Sequence, residues 1–401
     1  MIGYYIRKLR QWGLQGVVLY IRLALSQCTF RRRLLDNAKA YPVEPVHGIT
    51  LVADVSGQAS LSKTCRDFIS ALAAAGVPHQ VYDLGKPMPK DFCVRKYTDI
   101  VEMFYTWVPD VPGVRKSTIA FWEFDSGLPE QCPQLLKKRC VIAMSDFNAA
   151  YYRKALPPSV RVCKILYPLQ LKVGEFPSAE QVRERYGLGR DDFVVFFNFD
   201  YGSGYGRKNP EGCVRAFAEA LGDVGDAKLV FKTKRAAEHP EAVARLMSLA
   251  ESFGVRSKIV SIDDYLPASE IWGLSNACDV YLSLHRGEGF GLGIAEAMLM
   301  GKPVVVTDFS STTEFCRSDN SVPVAYSLVA NRGELSDQPA YAGVKRFAEA
   351  DVHDAARKIR RLYEDQAYRQ AIGKRAQETI RSQYSIQKFK ESVERFLTEA
   401  P

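Results

Sequence analysis

The sequence has no Cys-x-x-Cys pair and no Asp-x-Asp, and its histidines (His47, His79, His239, His285 and His353) are scattered without ligand spacing. Neither a zinc centre nor a dedicated divalent-cation site is expected. Nine cysteines, an odd number without a framework pattern, exclude a disulfide scaffold and point to a reducing, cytoplasmic compartment. Long hydrophobic runs are missing too. The longest apolar stretch near the N-terminus is broken by Arg22, too short to span a bilayer, and no small-residue cleavage site follows it, so neither a membrane span nor a cleaved leader is expected.

What is present is a chain of 401 residues with 47% hydrophobic content, enough to bury large cores in two or three domains. The net charge of +8 is modest for a nucleic-acid binder and suits anionic substrates or an anionic membrane surface. Much of the excess sits in residues 1–40, where Arg7, Lys8, Arg10, Arg22, Arg31, Arg32, Arg33 and Lys39 face one acid, Asp36. There Leu14, Val17, Val18, Ile21 and Leu25 recur at helical spacing, with Tyr4 and Trp12 nearby. Two readings stay open for this helix, lying on anionic lipid or packing on the protein.

From Ile49 onward, short β-branched runs alternate with helical stretches. Strands are expected at Ile49–Ala53, Val77–Tyr82, Ser117–Trp122 and Val141–Met144, and again at Phe193–Phe199, Lys228–Lys232, Lys258–Ile262, Val280–Leu284 and Pro303–Thr307. This is the pattern of an α/β protein with parallel sheets. The periodicity lapses between Pro168 and Pro177. We therefore read a basic segment 1–45, a Rossmann-like domain 46–172, a second one 173–384, and a last helix 385–401 capped by Ser385 and returning to the first domain. Ligands of doubly wound sheets bind at the carboxyl ends of the strands, in a cleft between the halves.

The most informative stretch is Glu288-Gly-Phe-Gly-Leu-Gly-Ile-Ala-Glu296. Gly289, Gly291 and Gly293 allow close backbone approach where a strand turns into a helix, whose N-terminus offers unpaired N–H groups to a phosphate. Glu288 and Glu296 flank the turn and suit sugar hydroxyls better than phosphates; the bland alternative is a close-packed junction with solvated glutamates. A second loop, Asp200-Tyr-Gly-Ser-Gly-Tyr-Gly-Arg-Lys-Asn-Pro210, is either a surface loop or an anion site ending in Arg207 and Lys208. It matches neither the Walker nor the dinucleotide pattern. Lys232 ends a strand as a solvated lysine or as a further phosphate cation, the second being favoured. Asp264 and Tyr265 are loop and cap residues or border a nucleobase. After an earlier strand, Trp122 and Glu123 in Phe121-Trp-Glu-Phe-Asp125 are a buried aromatic with an exposed acid, or line the cleft.

Taken together, Arg207-Lys-Asn-Pro210, Asp263-Asp-Tyr265, His285–Met298 and Gly301-Lys-Pro-Val-Val-Val-Thr307 resemble the family-four retaining glycosyltransferases. The branch they resemble builds bacterial surface polysaccharides, such as O-antigens, often with mannose. The likeness is good from about Val182 to Thr398 and loose before that. It implies the GT-B fold, two Rossmann-like domains with an interdomain cleft, and a hexosyltransferase that needs no metal or other cofactor, taking a nucleotide sugar such as GDP-mannose. The acceptor implied is a glycan or lipid-linked glycan; no nucleic-acid partner is implied, and the enzyme would lie in the cytoplasm, peripheral to the membrane. By position, the resemblance gives Glu288, Lys208 and Glu123 to the reacting centre. Arg207, Lys232, Asp264, Tyr265, His285, Gly289, Phe290, Gly291, Leu292 and Glu296 go to the donor, with Glu296 on the ribose. Trp122 and Glu123 stand where many relatives keep a histidine, and Gly202 where they keep an arginine. The alternative is an inactive scaffold that kept the fold.

Overall fold

The computed structural model describes residues 29–41, 44–57, 60–103, 108–128, 135–136, 138–169 and 176–399. The apolar stripe Leu14–Leu25, with Tyr4 and Trp12, lies outside them. By its contacts the chain divides into two compact units. One holds the residues up to Ala120, Lys138–Val141 and the residues from Val393 on; the other holds Phe121–Lys137 and Ile142–Ser392.

The first sheet consists of β1 (Val46–Ala53), β2 (His79–Asp83), β3 (Tyr97–Met103), β4 (Arg115–Ile119), β5 (Cys140–Ala143) and β6 (Arg161–Lys164), in the order β2-β1-β3-β4-β5-β6. Strands β1 to β4 pair in parallel. β1 is buried over six consecutive residues and β5 throughout, as strands covered on both faces must be. The edge strand β2 is only half-buried. β3 and β6 were not expected. β3 reads Tyr-Thr-Asp-Ile-Val-Glu-Met, with Asp99 and Glu102 fully buried, so its polar residues disguise an inner strand. The strand expected at Ser117–Trp122 ends at Ile119, and residues 120–123 have no regular structure.

Residues 29–40 are helical and pack on this unit. Leu34 and Ala38 join the core of Val52, Tyr82, Phe92, Val94 and Ile100. Phe30 stacks on Tyr82 with ring centres 5.3 Å apart, while Arg31, Arg32, Arg33 and Lys39 stay exposed. For this part of the basic segment, packing on the protein is what the structure shows.

The second sheet holds β7 (Phe193–Asn198), β8 (Ala227–Thr233), β9 (Ile259–Asp263), β10 (Val280–Ser283), β11 (Val304–Thr307) and β12 (Val322–Val324), in the order β12-β11-β10-β7-β8-β9, all parallel. Its inner strands β7, β8, β10 and β11 are almost wholly buried, and β7, β10 and β11 were legible as apolar runs. β13 (Tyr326–Ala330) and β14 (Arg346–Ala350) form a separate antiparallel hairpin that periodicity did not reveal. Helices Val352–Glu364, Gln366–Gln383 and Ile386–Glu399 end the described chain. Ser385 starts the last of them, its hydroxyl accepting the Lys388 N–H at 3.3 Å. Among the described residues, no helix is long and apolar enough to cross a membrane.

Candidate active site

The glycine-rich stretch after β10 folds as a strand–turn–helix junction whose helix runs Leu292–Leu299. Gly291 precedes the helix at φ 92°, a left-handed conformation that side chains rarely tolerate, and no side chain caps the helix start. Its first N–H groups are therefore left to other partners. Gly293 has a different reason to be glycine: a Cβ there would lie 2.5 Å from the Tyr281 hydroxyl and 2.7 Å from Asn198 Oδ1.

The second glycine loop leaves β7 and makes a single turn, Tyr205–Lys208, closed by Asn209 in a left-handed conformation. Asn209 caps the next helix, Pro210–Leu221, accepting from the Gly212 N–H at 3.1 Å, and donates to the Leu284 carbonyl at 2.9 Å. One side chain thus ties the end of this loop to the end of β10, bringing Arg207 and Lys208 to the acidic turn.

There Glu288, 7% exposed, is ion-paired with Lys208 and with Arg207, the latter at 3.3 Å. Its N–H donates to the Ser310 hydroxyl at 2.8 Å, and Ser310 holds a positive φ of 67° to accept it. Burial would raise the Glu288 carboxyl, but Lys208, Arg207 and His285 outweigh it and hold it down to about 2. Glu288 is therefore ionised at neutral pH. Lys208 lies below its usual range, because burial and the neighbouring Arg207 outweigh the pull of Glu288. Burial would lower Arg207 as well, but Tyr341, Glu288 and Glu123 hold its charge in place.

Arg207 is itself buried, donating to the carbonyls of Gly287 at 2.9 Å and Ser203 at 3.0 Å. It clamps the two glycine loops together, which leaves Lys208 as the more accessible cation of the two. His285 is fully buried beneath them. Its Nε2 faces the Thr312 hydroxyl at 3.3 Å while Nδ1 has no partner, and burial, opposed only by Glu288, pushes it down to about 3. It is a neutral ring under the site.

Half-buried Glu123 lies in the segment after β4, its carboxylate acting on Arg207, Lys208 and Tyr341. Trp122 is buried, bonded to the Ser126 carbonyl at 2.9 Å. Phe290 turns inward and stacks on Tyr167, with ring centres 4.4 Å apart. Gly289 lies beside Phe121, where a Cβ would meet that side chain at 3.1 Å. Glu296 is buried on the helix and accepts from the Trp272 indole at 3.2 Å.

The residues at the ends of β8 and β9 form a second group. Lys232 is buried and gives its amine to the carbonyls of Thr233 at 3.0 Å and Asp264 at 2.7 Å. Burial, helped by Lys234 and opposed by Asp263, Asp200 and Asp264, lowers it to about 8. Asp264 accepts from the Tyr265 N–H at 2.6 Å, and the exposed Tyr265 ring carries the Lys234 amine 5.1 Å from its centre. Among the described residues, no group of three His, Cys, Asp or Glu stands as around a metal ion.

Several residues at the site gave no signal in the sequence. Tyr341, Ser310, Thr312 and Trp272 reach it from other elements, and only the fold brings them together. Arg235 is another: it pairs with Asp200 at 2.8 Å, and its guanidinium fills the room beside Gly202 that a side chain there would need.

Known proteins resemble part of this sequence and its fold. Residues 201–365 match the family described as glycosyl transferases group 1. Over 76 residues the chain is 35% identical to the serotype-specific mannosyltransferase WbdA of Escherichia coli; the match covers 19% of this chain and 9% of WbdA. The sucrose-phosphate synthase of Thermosynechococcus elongatus is similar in fold, with TM-score 0.64 at 15% identity over 88% of this chain and 99% of that one. So is Anabaena HepE, solved in complex with UDP and glucose, with TM-score 0.62 at 15% identity over 88% and 100%. The family match is confined to residues 201–365, and the chain has the two-sheet α/β fold of the GT-B glycosyltransferase structures it resembles.

Proposed function

We propose that the protein transfers a hexose, mannose or a close relative, from a nucleoside diphosphate sugar such as GDP-mannose to a glycan or lipid-linked glycan, with retention of anomeric configuration and no metal. The observation that carries this reading is the ionised Glu288 carboxylate, held between Lys208 and Arg207 beside an uncapped helix start. A carboxylate suits sugar hydroxyls, while the cation and the first-turn N–H groups suit a diphosphate. The stretch of WbdA similarity supports mannose as the transferred unit.

In this reading the acceptor hydroxyl attacks the anomeric carbon from the face that the diphosphate leaves. The bond from that carbon to the phosphate oxygen breaks, the bond to the acceptor oxygen forms, and the departing phosphate takes the acceptor proton. No protein nucleophile is needed. Glu288 orients the sugar, Glu296 takes the ribose, and Lys208 with the helix start stabilises the charge on the leaving oxygen. Each well-placed donor is worth about 3 kcal/mol in such a site. We place the enzyme in the cytoplasm, with its basic N-terminal region turned to an anionic membrane face.

The test is mass spectrometry of nucleotide release from GDP-, UDP- and dTDP-linked sugars, with and without chelator. Chelator-resistant release from one donor, with the α-linkage of the donor kept in the product, supports the reading. Release that requires metal overturns the metal-free mechanism, and silence with every donor and acceptor overturns the activity.

A further inference from the structure

After β8 the chain takes a turn that side chains rarely tolerate. Arg235 stands at φ 64° and ψ 28°, in the left-handed region, which a residue with a Cβ keeps only where its neighbours fix it. Asp263, at the end of β9, does the fixing. Its carboxylate accepts from the Ala236 N–H at 3.1 Å and from the Thr233 hydroxyl at 2.7 Å.

The turn carries the Arg235 side chain to the glycine loop that follows the neighbouring strand, β7. There Asp200 Oδ1 accepts from Arg235 Nε at 2.8 Å and from the Gly202 N–H at 2.9 Å. One carboxylate oxygen thus fixes the guanidinium to the loop. A Cβ on Gly202 would lie 2.1 Å from Arg235 Nη2 and 2.5 Å from Nη1. The Gly202 backbone is not left-handed, so glycine is needed there for the room that the guanidinium takes.

This places Arg235 beside the residues already described. Arg207 donates to the next carbonyl along the loop, that of Ser203, at 3.0 Å. At the end of β7, Asn198 Oδ1 lies 2.7 Å from where a Cβ on Gly293 would stand, in the first turn of the helix Leu292–Leu299. Arg235 therefore sits on the stretch of chain between that helix start and the turn of Arg207 and Lys208.

Its donors set it apart from the other cations of the two loops. Arg207 is spent on two carbonyls and Glu288, and Lys208 is paired with Glu288. Lys232 gives its amine to two carbonyls, and Lys234 lies over the Tyr265 ring. Arg235 commits Nε alone. Among the described residues no acceptor takes Nη1 or Nη2, and the side chain is 31% exposed. Two adjacent N–H groups at the planar end of a guanidinium match two oxygens of a phosphate.

We propose that Arg235 is a phosphate ligand of the nucleoside diphosphate, reaching it from the loop after β8, with Asp200 as the residue that aims it. The proposal rests on the reading of this loop as the diphosphate site.

Calorimetry with GDP, UDP and dTDP tests it. Arg235→Ala weakens binding of the nucleotide that the wild type takes by roughly tenfold to a hundredfold, the loss expected for a charge-assisted contact. Arg235→Gln keeps much of the reach without the charge and shows the same loss, which guards against a variant that does not fold. The double variant Gly202→Arg with Arg235→Ala returns a guanidinium to the same room from the other loop, and recovers most of the lost affinity. Unchanged affinity in the single variants overturns the proposal. So does a loss that the folded double variant does not recover at all, which would make Arg235 a clamp on Asp200 only. A wild type that binds none of the three nucleotides overturns the functional reading, and this proposal with it.

Discussion

In the unit built on β1 to β4, both buried carboxylates among the described residues have a cation of their own. Asp99 pairs with Arg115 at 2.6 Å, and Glu102, fully buried, pairs with Lys138. Arg115 also donates to the Leu397 carbonyl at 2.9 Å, pinning the last helix. In the unit built on β7 to β12, Glu288 faces two cations, and around it Arg207 Nε and His285 Nδ1 are left unpartnered. Matched pairs satisfy each other and leave nothing for a ligand. Around Glu288 the charges are shared and not matched in pairs: both cations face Glu288, and Glu123 acts on both as well. Burial of charge serves architecture in the first unit; on the proposed reading it serves recognition in the second.

Replacing Lys138 by Met tests the architectural half and should have the largest effect on stability. It takes the Lys138 ammonium away from the fully buried Glu102, at a cost of about 3–5 kcal/mol in denaturant unfolding. A loss below about 1 kcal/mol would mean that the pair is not what stabilises this unit. Lys208→Ala tests the other half. Losing one charge-assisted contact of about 1.5–3 kcal/mol weakens GDP or UDP binding roughly tenfold to a hundredfold in calorimetry. Unchanged affinity would remove Lys208 from the diphosphate site.

The smallest effect is on the pH dependence of unfolding. His285 is held down to about 3 in the folded protein, against an ordinary 6.5. The unfolded chain therefore binds the proton first, and stability falls as pH drops from 6.5 towards 3. His285→Asn should flatten that slope. Glu288, held down to about 2 from 4.5, adds a slope of the same sign only below about 4.5. The comparison is therefore cleanest between pH 6.5 and 5, where an unchanged slope would contradict a buried neutral imidazole.

How far the sequence foretold this difference depends on the range of the forces involved. β7, β10 and β11 are buried apolar runs, and the acidic turn and the Arg207–Lys208 loop are contiguous in sequence, so all were legible locally. The partners of those loops were not. Tyr341 lies 134 positions beyond Arg207, on a hairpin whose first strand is mostly exposed and has no apolar alternation. β3 hid behind Asp99 and Glu102, whose cations come from elsewhere in the chain. Lys232 was expected to face a phosphate; its amine is given to two carbonyls, a satisfaction that only the paired ends of β8 and β9 create.

The central claim is that Glu288 is the ligand of the transferred sugar and not of the nucleotide. Its most direct test is Glu288→Ala, with donor turnover and nucleoside diphosphate affinity measured on the same preparation. The account predicts that turnover falls by roughly a hundredfold to a thousandfold, as when one well-placed group is removed from a reacting centre, while nucleotide binding is largely spared. Full turnover in this variant, or an equal loss of nucleotide affinity, would contradict it.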